Sequence, residues 1–342
     1  MLGLKVKKDN AEKVRKYLTG HKLMVINYRV FSSDEFIYFP ISAGAKMGKD
    51  VIGRFGAEIV DARFEKTEQQ PKYKEMLKSS LGKQYSEAAR GYDVIGDIAL
   101  IEGTGSTAAT RKMAKAIMEV NRNVRTVLAK GGPVSGVYRI RKYSHVLGEK
   151  KYDTVYKENG AQFHFDIRKT FFSTRLAYER ARISAASSDG ENVIIMFAGV
   201  GPFAIEMAKT HKKSNIIAME LNRSAFKAML ENIKINRTAN VTAEYGDVKK
   251  LVLRHRNFAD RIVMPLPKDS YSFLGAVSIA ARKGCVVHYY AFGKKEDAFD
   301  FNIKRIRDYF SKKGRRIRVL NKRVARNYSP SEIEVVIDFR IY

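Results

Sequence analysis

Apolar and polar residues change period several times along this chain, and each change predicts an element. Residues 2–7 (LGLKVK) alternate as a short strand, while Ala11, Val14, Tyr17 and Leu18 recur at the spacing of one helix face. KLMVINYRVF and EFIYFPI read as two more strands, which together make a small α/β module. The polar stretch EKTEQQPKYKEMLKSSLGKQYSE, rich in Lys, Gln and Ser, reads as a linker running into a helix and predicts a boundary near residue 70. Beyond it YDVIGDIALIEG predicts an apolar strand, and Ser106 to Asn121 a helix. RTVLAK, YRIRKYSHVLG, DTVYKENG and AQFHFDI predict further strands of a mixed α+β segment that ends near Asp166.

After Phe171 the grammar changes. Helix RLAYERARISAAS is followed by strand NVIIMFAG, helix FAIEMAKTH, strand NIIAMEL, helix SAFKAMLENIKIN and strand VTAEYG. Strands alternating with crossover helices predict a parallel, doubly wound sheet. The expected fold class is therefore α/β in three parts: a small α/β module with its linker (1–70), an α+β domain (71–168) and a doubly wound domain (169–342). A length of 342 residues, beyond the usual size of one hydrophobic core, agrees with two or three domains.

Charge narrows the class of partner. Lys and Arg total 64 against 36 Asp and Glu, a formal charge of +28, which makes the compact state repel itself unless a polyanion is a usual partner. Nucleic acid is the leading candidate, and a basic proteome or a hot habitat is the alternative source of such a balance. The single Cys285 excludes an internal disulfide framework and fits a reducing cytoplasm, and no Cys/His cluster has the paired spacing of a zinc site, so no metal is expected. In MLGLKVKKDNAEKV, Lys and Asp interrupt the apolar residues too soon for a signal-peptide core, and no apolar run reaches spanning length. Neither a membrane nor an obligate protein partner is expected.

The chemistry concentrates in VIIMFAGVGPFAIEMAK, where an apolar strand meets a turn containing Gly199 and Gly201 and then a helix. Phe203 and Ala204 occupy the region where a dinucleotide fingerprint would place its third glycine, so pyrophosphate binding is not favoured. The next strand ends in Glu220, roughly 20 residues on, where doubly wound folds place an acid that bonds a ribose diol. Asp247 follows the strand after that, either as a ligand contact or as the N-cap of the helix VKKLVL. A glycine turn and two acids at successive strand ends describe a site for an adenosine-type ligand.

At these residues the chain resembles the archaeal and eukaryotic tRNA (guanine-N1)-methyltransferases that act at position 37. MFAGVGPF (196–203) resembles that family's cofactor loop, FFSTRLAYER (171–180) the segment before it, DRIVMPLP (260–267) its fourth motif and GCVVHYYAF (284–292) its final strand. The resemblance continues through residues 136–167 and YDVIGDIALIEG, and more faintly through residues 1–41. Two positions depart from the family pattern: Met196 replaces an acid, and Pro265-Leu266-Pro267 stands where the family has Asn-Leu-Pro.

The resemblance implies a Rossmann-like, S-adenosylmethionine-dependent domain that methylates N1 of guanosine 37. It assigns cofactor contacts to Arg180, to the loop residues Phe197, Ala198, Gly199, Gly201, Pro202 and Phe203, and to Glu220, Leu221, Asn222, Asp247 and Val248. It makes Glu179 the general base, Arg139 the clamp on O6, and Arg175 with Pro265, Leu266 and Pro267 the substrate contacts. Read without it, Glu179 is a solvent-facing helix acid paired with a neighbouring Arg, and Arg139 is a solvated strand residue. The 11 Lys and Arg between Lys304 and Arg326, interleaved with Tyr309 and Phe310, make a candidate phosphate surface or a solvated helix and hairpin face. The first module resembles the part of the family implicated in checking tRNA shape. A wyosine-type tricyclic base at position 37 is an additional candidate substrate, suggested by Pro265. Aminocarboxypropyl transfer and non-catalytic RNA binding are the competing readings.

Overall fold

Leu4 and Val6 are buried between the more accessible Lys5 and Lys7, so strand β1 (Leu2–Lys7) packs one face and wets the other. Helix α1 (Ala11–Gly20) lays Ala11, Val14 and Leu18 over it. Strands β2 (Phe31–Ser32), β3 (Phe36–Pro40) and β4 (Glu58–Asp61) complete an antiparallel sheet in the order β2-β3-β1-β4, closed by Phe39 and Ile41. The computed structural model describes residues 1–342 apart from 22, 26–27, 34, 43–52, 54, 67–72 and 82–90. Of the predicted strand KLMVINYRVF, residues 22, 26 and 27 lie outside the described residues; among the others only Phe31 joins a ladder, and Met24 and Tyr28 make single bridges to Ile41 and Lys66. The chain divides into two units, Met1–Lys72 and Tyr73–Tyr342, while residue 70 itself lies outside the described residues.

The second unit opens with helix α2 (Tyr73–Leu81). The stretch predicted as one strand is a hairpin, β5 (Asp93–Ile95) and β6 (Ile98–Glu102), turning at Gly96 and Asp97. Gly96 has a φ of 59°, and a Cβ there would lie 2.2 Å from Thr154 Oγ1, so the turn takes glycine alone. Helix α3 (Thr107–Val120), capped by Ser106, crosses over to β7 (Thr126–Lys130), which pairs parallel with β6 and antiparallel with β8 (Tyr143–Gly148). A second hairpin, β9 (Asp153–Glu158) and β10 (Ala161–Asp166), follows.

Helix α4 (Ala177–Ala185) leads into the large sheet. Its elements are β11 (Asn192–Met196), α5 (Pro202–Thr210), β12 (Asn215–Glu220), α6 (Arg223–Ile235), β13 (Val241–Tyr245), α7 (Val248–Leu251), β14 (Ala259–Met264), α8 (Leu274–Ala280), β15 (Ala281–Lys294), α9 (Ala298–Ser311), β16 (Ile317–Asn327) and β17 (Glu332–Ile341). Seven strands run in the order β13-β12-β11-β14-β15-β17-β16; the first five are parallel, and β17 and β16 pair antiparallel at the end. Along β11, Val193 and Ile195 pack into one core with Phe203 and Met207, while Ile194 and Met196 pack into the other with Leu274 and Ile306. Burial on both faces is why these strands read as unbroken apolar runs, and each such side chain stabilises by about 1.5–3 kcal/mol.

The strand order reverses at β11, which places the carboxyl ends of β11 and β14 at the crevice where doubly wound sheets bind ligands. The expected boundary near residue 168 is no break in packing. Ile95, Ile98 and Leu100 share one core with Phe163, Val200 and Ile205, and Asn232 donates to Val200 O at 3.0 Å while accepting from His164 N–H at 2.7 Å.

Candidate active site

Where β11 ends, the backbone turns through Phe197, whose φ of 57° is left-handed. Ala198 N–H donates to Met219 O at 2.8 Å, which holds the turn against β12. Gly199 N–H donates to Glu220 Oε2 at 2.7 Å and Asn222 N–H to Oε1 at 2.7 Å, so one carboxylate ties the turn after β11 to the turn after β12. Burial raises the Glu220 carboxyl, against which the amides of Asn222, Gly199 and Leu221 work. Each of its oxygens keeps a further lone pair for a ligand hydroxyl. Gly201, at φ 91°, has no room for a Cβ, which would lie 2.9 Å from Met229 Cγ; Pro202 then opens α5.

Asn222 caps α6 by accepting from Ser224 N–H at 2.9 Å, and its Nδ2 donates to Lys169 O at 2.7 Å. Asp247 caps α7 by accepting from Lys249 N–H at 2.9 Å. Ala198, Phe203 and Val248 are core side chains, whereas Leu221 is exposed at this edge.

The Arg180 side chain is buried, its guanidinium 5.9 Å from the Phe203 ring. Its guanidinium is buried, donating to both oxygens of Glu158 and to Ser173 O, with Glu206 Oε1 at 3.4 Å. The expected cofactor contact is thus an internal ion cluster in this structure, because the helix turns Arg180 toward β9.

A cavity of about 280 Å³ opens beside the 170–175 segment and is lined by Asp93, Lys130, Arg139, Phe171, Arg175 and Tyr328, among others. Phe171 O would lie 3.8 Å from a Cβ on Gly199, so this wall adjoins the glycine turn. Arg139 is not a strand residue: the predicted strand YRIRKYSHVLG starts only at Tyr143, and Arg139 stands in a tight turn closed by Ser135 and Ile140. Its φ is 52°, a conformation that costs a non-glycine residue about 1 kcal/mol or more. Arg139 Nε and Nη1 are buried without a hydrogen-bond partner, and the guanidinium faces the Phe171 ring at 5.5 Å. Burial lowers its pKa, opposed by Glu334. Arg175 donates to Asp93 Oδ1 at 2.9 Å.

Glu179 is buried rather than solvent-facing. Arg182 Nε and Nη2 donate to its Oε2 at 3.0 and 2.9 Å, and Tyr290 OH donates to the same oxygen at 3.3 Å. Oε1 has no hydrogen-bond partner, although Arg323 Nη1 stands 3.1 Å away.

The TRM5/TYW2 methyltransferase domain model matches residues 154–320, the TYW2 N-terminal domain model 73–151, and the tRNA methyltransferase 5 N-terminal domain model 3–47. A tRNA (guanine(37)-N(1))-methyltransferase Trm5b of Pyrococcus abyssi is 35% identical over 99% of both chains. This chain belongs to the tRNA (guanine37-N1)-methyltransferase family. The solved complex of aTrm5 with tRNALeu superposes with a TM-score of 0.71 at 29% identity, covering 100% of each chain. Trm5 of Methanocaldococcus jannaschii in complex with adenosine gives a TM-score of 0.66 at 29% identity, covering 100% of this chain and 99% of that one. An aminocarboxypropyltransferase for 4-demethylwyosine 37 of tRNA(Phe), from the same organism, is 28% identical over 72% of this chain and 96% of its own.

In this family member Pro265, Leu266 and Pro267 follow β14 at the same sheet edge but do not line the cavity. Ser270 Oγ fixes them from between Leu266 O at 2.5 Å and Tyr290 O at 2.6 Å, donating its one proton to either carbonyl. Arg182, Tyr290, Arg323 and Asp338 escape the sequence reading. The Tyr290 in the HYY stretch is the one signal, and it marks family resemblance without revealing the contact to Glu179. Among the described residues no helix is long and apolar enough to cross a membrane.

Proposed function

We propose that this chain transfers a methyl group from S-adenosylmethionine to N1 of guanosine 37 in tRNA. The observation that carries this is Glu179, a buried carboxylate with Oε2 held by Arg182 and Tyr290 and Oε1 facing Arg323 Nη1 at 3.1 Å. N1 of neutral guanine bears a proton, so the nitrogen becomes a nucleophile only as that proton leaves. Glu179 Oε1 accepts it, and the negative charge that spreads to O6 meets the unpartnered nitrogens of Arg139.

The residues at the strand ends fit the cofactor: a turn with glycine at two positions, a carboxylate with lone pairs to spare for a ribose diol, and an exposed Leu221 beside it. When bound, S-adenosylmethionine supplies an electrophilic methyl carbon on a sulfonium. Glu220 and the turn hold and orient it, and Phe171 separates that turn from the base cavity. The basic surface from Lys304 to Arg326 serves the phosphates of the tRNA. A tricyclic wyosine-type base is a second substrate in this reading, favoured by Pro265, which has no side-chain donor to select guanine.

Undermodified tRNA incubated with cofactor labelled in the methyl group, and separately in the carboxypropyl group, tests this. Methyl label on N1 of guanosine 37 supports it. Carboxypropyl label turns the reading to aminocarboxypropyl transfer, and no label in either arm leaves an RNA-binding protein.

A further inference from the structure

Part of the cavity wall comes from the last hairpin of the chain. Arg326, Asn327 and Tyr328 line it together with Arg139 and Phe171. All three lie beyond residues 154–320, the span that matches the methyltransferase domain model. Sheet register brings them to the ligand edge: Phe292, near the carboxyl end of β15, stands opposite Glu334 of β17, and Glu334 stands opposite Arg326 of β16. Phe292 N–H also donates to Pro267 O at 3.3 Å, which ties the end of β15 to the loop after β14.

Tyr328 follows directly on β16. Its backbone is pinned, because Tyr328 N–H and Ser329 N–H both donate to Glu332 O at 3.0 Å and Glu332 N–H donates to Ser329 Oγ at 3.0 Å. Two residues earlier, Arg326 Nε donates to the buried Glu334 at 2.5 Å. The Tyr328 ring rests on Phe292 with 4.4 Å between centroids and a tilt of 41°, yet the residue stays 53% exposed. A half-exposed tyrosine on an open surface needs no explanation. This one shares a cavity with Arg139, whose Nε and Nη1 are buried without hydrogen-bond partners. Free donors and an uncovered flat ring in one cavity suit a planar ligand with an acceptor on its edge, which is the description of a nucleobase.

We propose that Tyr328 binds the base of nucleotide 37, stacking on its face while Arg139 engages its edge. This rests on the reading of the cavity as the seat of that base. Stacking reads neither donors nor acceptors, so Tyr328 holds guanine and a wider tricyclic base alike and leaves the choice between them to groups at the edge.

The test is a cycle between protein and RNA, run on the full chain. Equilibrium affinities of wild type and Tyr328→Ala are measured for undermodified tRNA and for the same tRNA made abasic at position 37. Tyr328→Ala should weaken binding of the intact tRNA by about tenfold or more, the cost of one lost base–aromatic stack, and leave binding of the abasic tRNA unchanged. Tyr328→Phe should keep wild-type affinity. Tyr328→Leu still covers Phe292 but has no flat face, and should behave as Tyr328→Ala does. Affinity for S-adenosylmethionine should stay at wild type in all three. No loss, an equal loss for both tRNAs, or a Phe variant as weak as the Ala variant overturns the proposal. Arg139→Ala, carried through the same cycle, separates the two ways of failing. If its loss depends on the base at 37 while that of Tyr328→Ala does not, stacking is wrong and the cavity keeps the base. If neither depends on it, the reading of the cavity fails and the role of Tyr328 falls with it.

Discussion

Two buried ion clusters lie against helix α4, and they differ in their ratio of charges. Around Glu179, the carboxylates of Glu179, Asp338 and Glu191 meet the guanidinium groups of Arg182, Arg261 and Arg323. One residue along the helix, Arg180 is shared by Glu158 and Glu206. Two carboxylates around one cation cannot both ionise cheaply in a buried site, and Glu206 is pushed up to about 8 by burial and then by Glu158. Both clusters contain a carboxylate oxygen without a hydrogen-bond partner, Glu179 Oε1 and Glu206 Oε1. Unequal charge favours the protonated form of Glu206. Adjacent positions of one helix thus enter two separate ion clusters.

The comparison breaks most visibly at Glu179. Glu179→Gln keeps the size but cannot take the proton, so single-turnover methylation should fall by about 10²- to 10⁴-fold with tRNA and cofactor affinities unchanged. A near-wild-type rate would put the base elsewhere. Arg139→Ala removes the charge facing O6, and a loss of about 10²- to 10³-fold in the same assay is expected, with Arg139→Lys restoring part of it. Glu220→Ala should raise the dissociation constant for S-adenosylmethionine by about tenfold, measured by calorimetry, while leaving the fold intact.

The smallest effect sharpens the second cluster. A carboxyl raised on folding contributes stability that is fully present below its unfolded value and lost as pH rises through its folded one. Between the ordinary carboxylate range and about 8, wild type should therefore lose stability relative to Glu206→Gln. A relative shift of about 2–4 °C in Tm would correspond to about 1 kcal/mol in a protein of this size. Parallel pH curves would show Glu206 ionised alongside Glu158.

The doubly wound sheet was legible because β11 and β12 are apolar on both faces, and the glycine turn because φ values of 60° and 91° need glycine at 199 and 201. Alternation could not reveal the β5–β6 hairpin, since Gly96 and Asp97 interrupt the apolar run without ending it. The turn holding Arg139 was hidden for a different reason: nothing in VYRIR marks a left-handed residue. The partners of Glu179 lie 111 residues away at Tyr290, and Asp338 lies 156 residues from Arg182. Such pairings are set by sheet topology, to which local spacing is blind. Neighbouring Glu179 and Arg180 were each given a site role, and only the packed helix separates them into two clusters.

The order β15-β17-β16 also constrains assembly. Strand β16 pairs only with β17 among the described residues, and β17 supplies its link to the rest of the sheet. On a ribosome, the glycine turn and Glu220 can come together while residues beyond 300 are still being made. Arg323 and Asp338 cannot take their places until the last strand has slotted between its neighbours. In the proposed reading a nascent chain would form the edge that carries Glu220 early and complete the surroundings of Glu179 late.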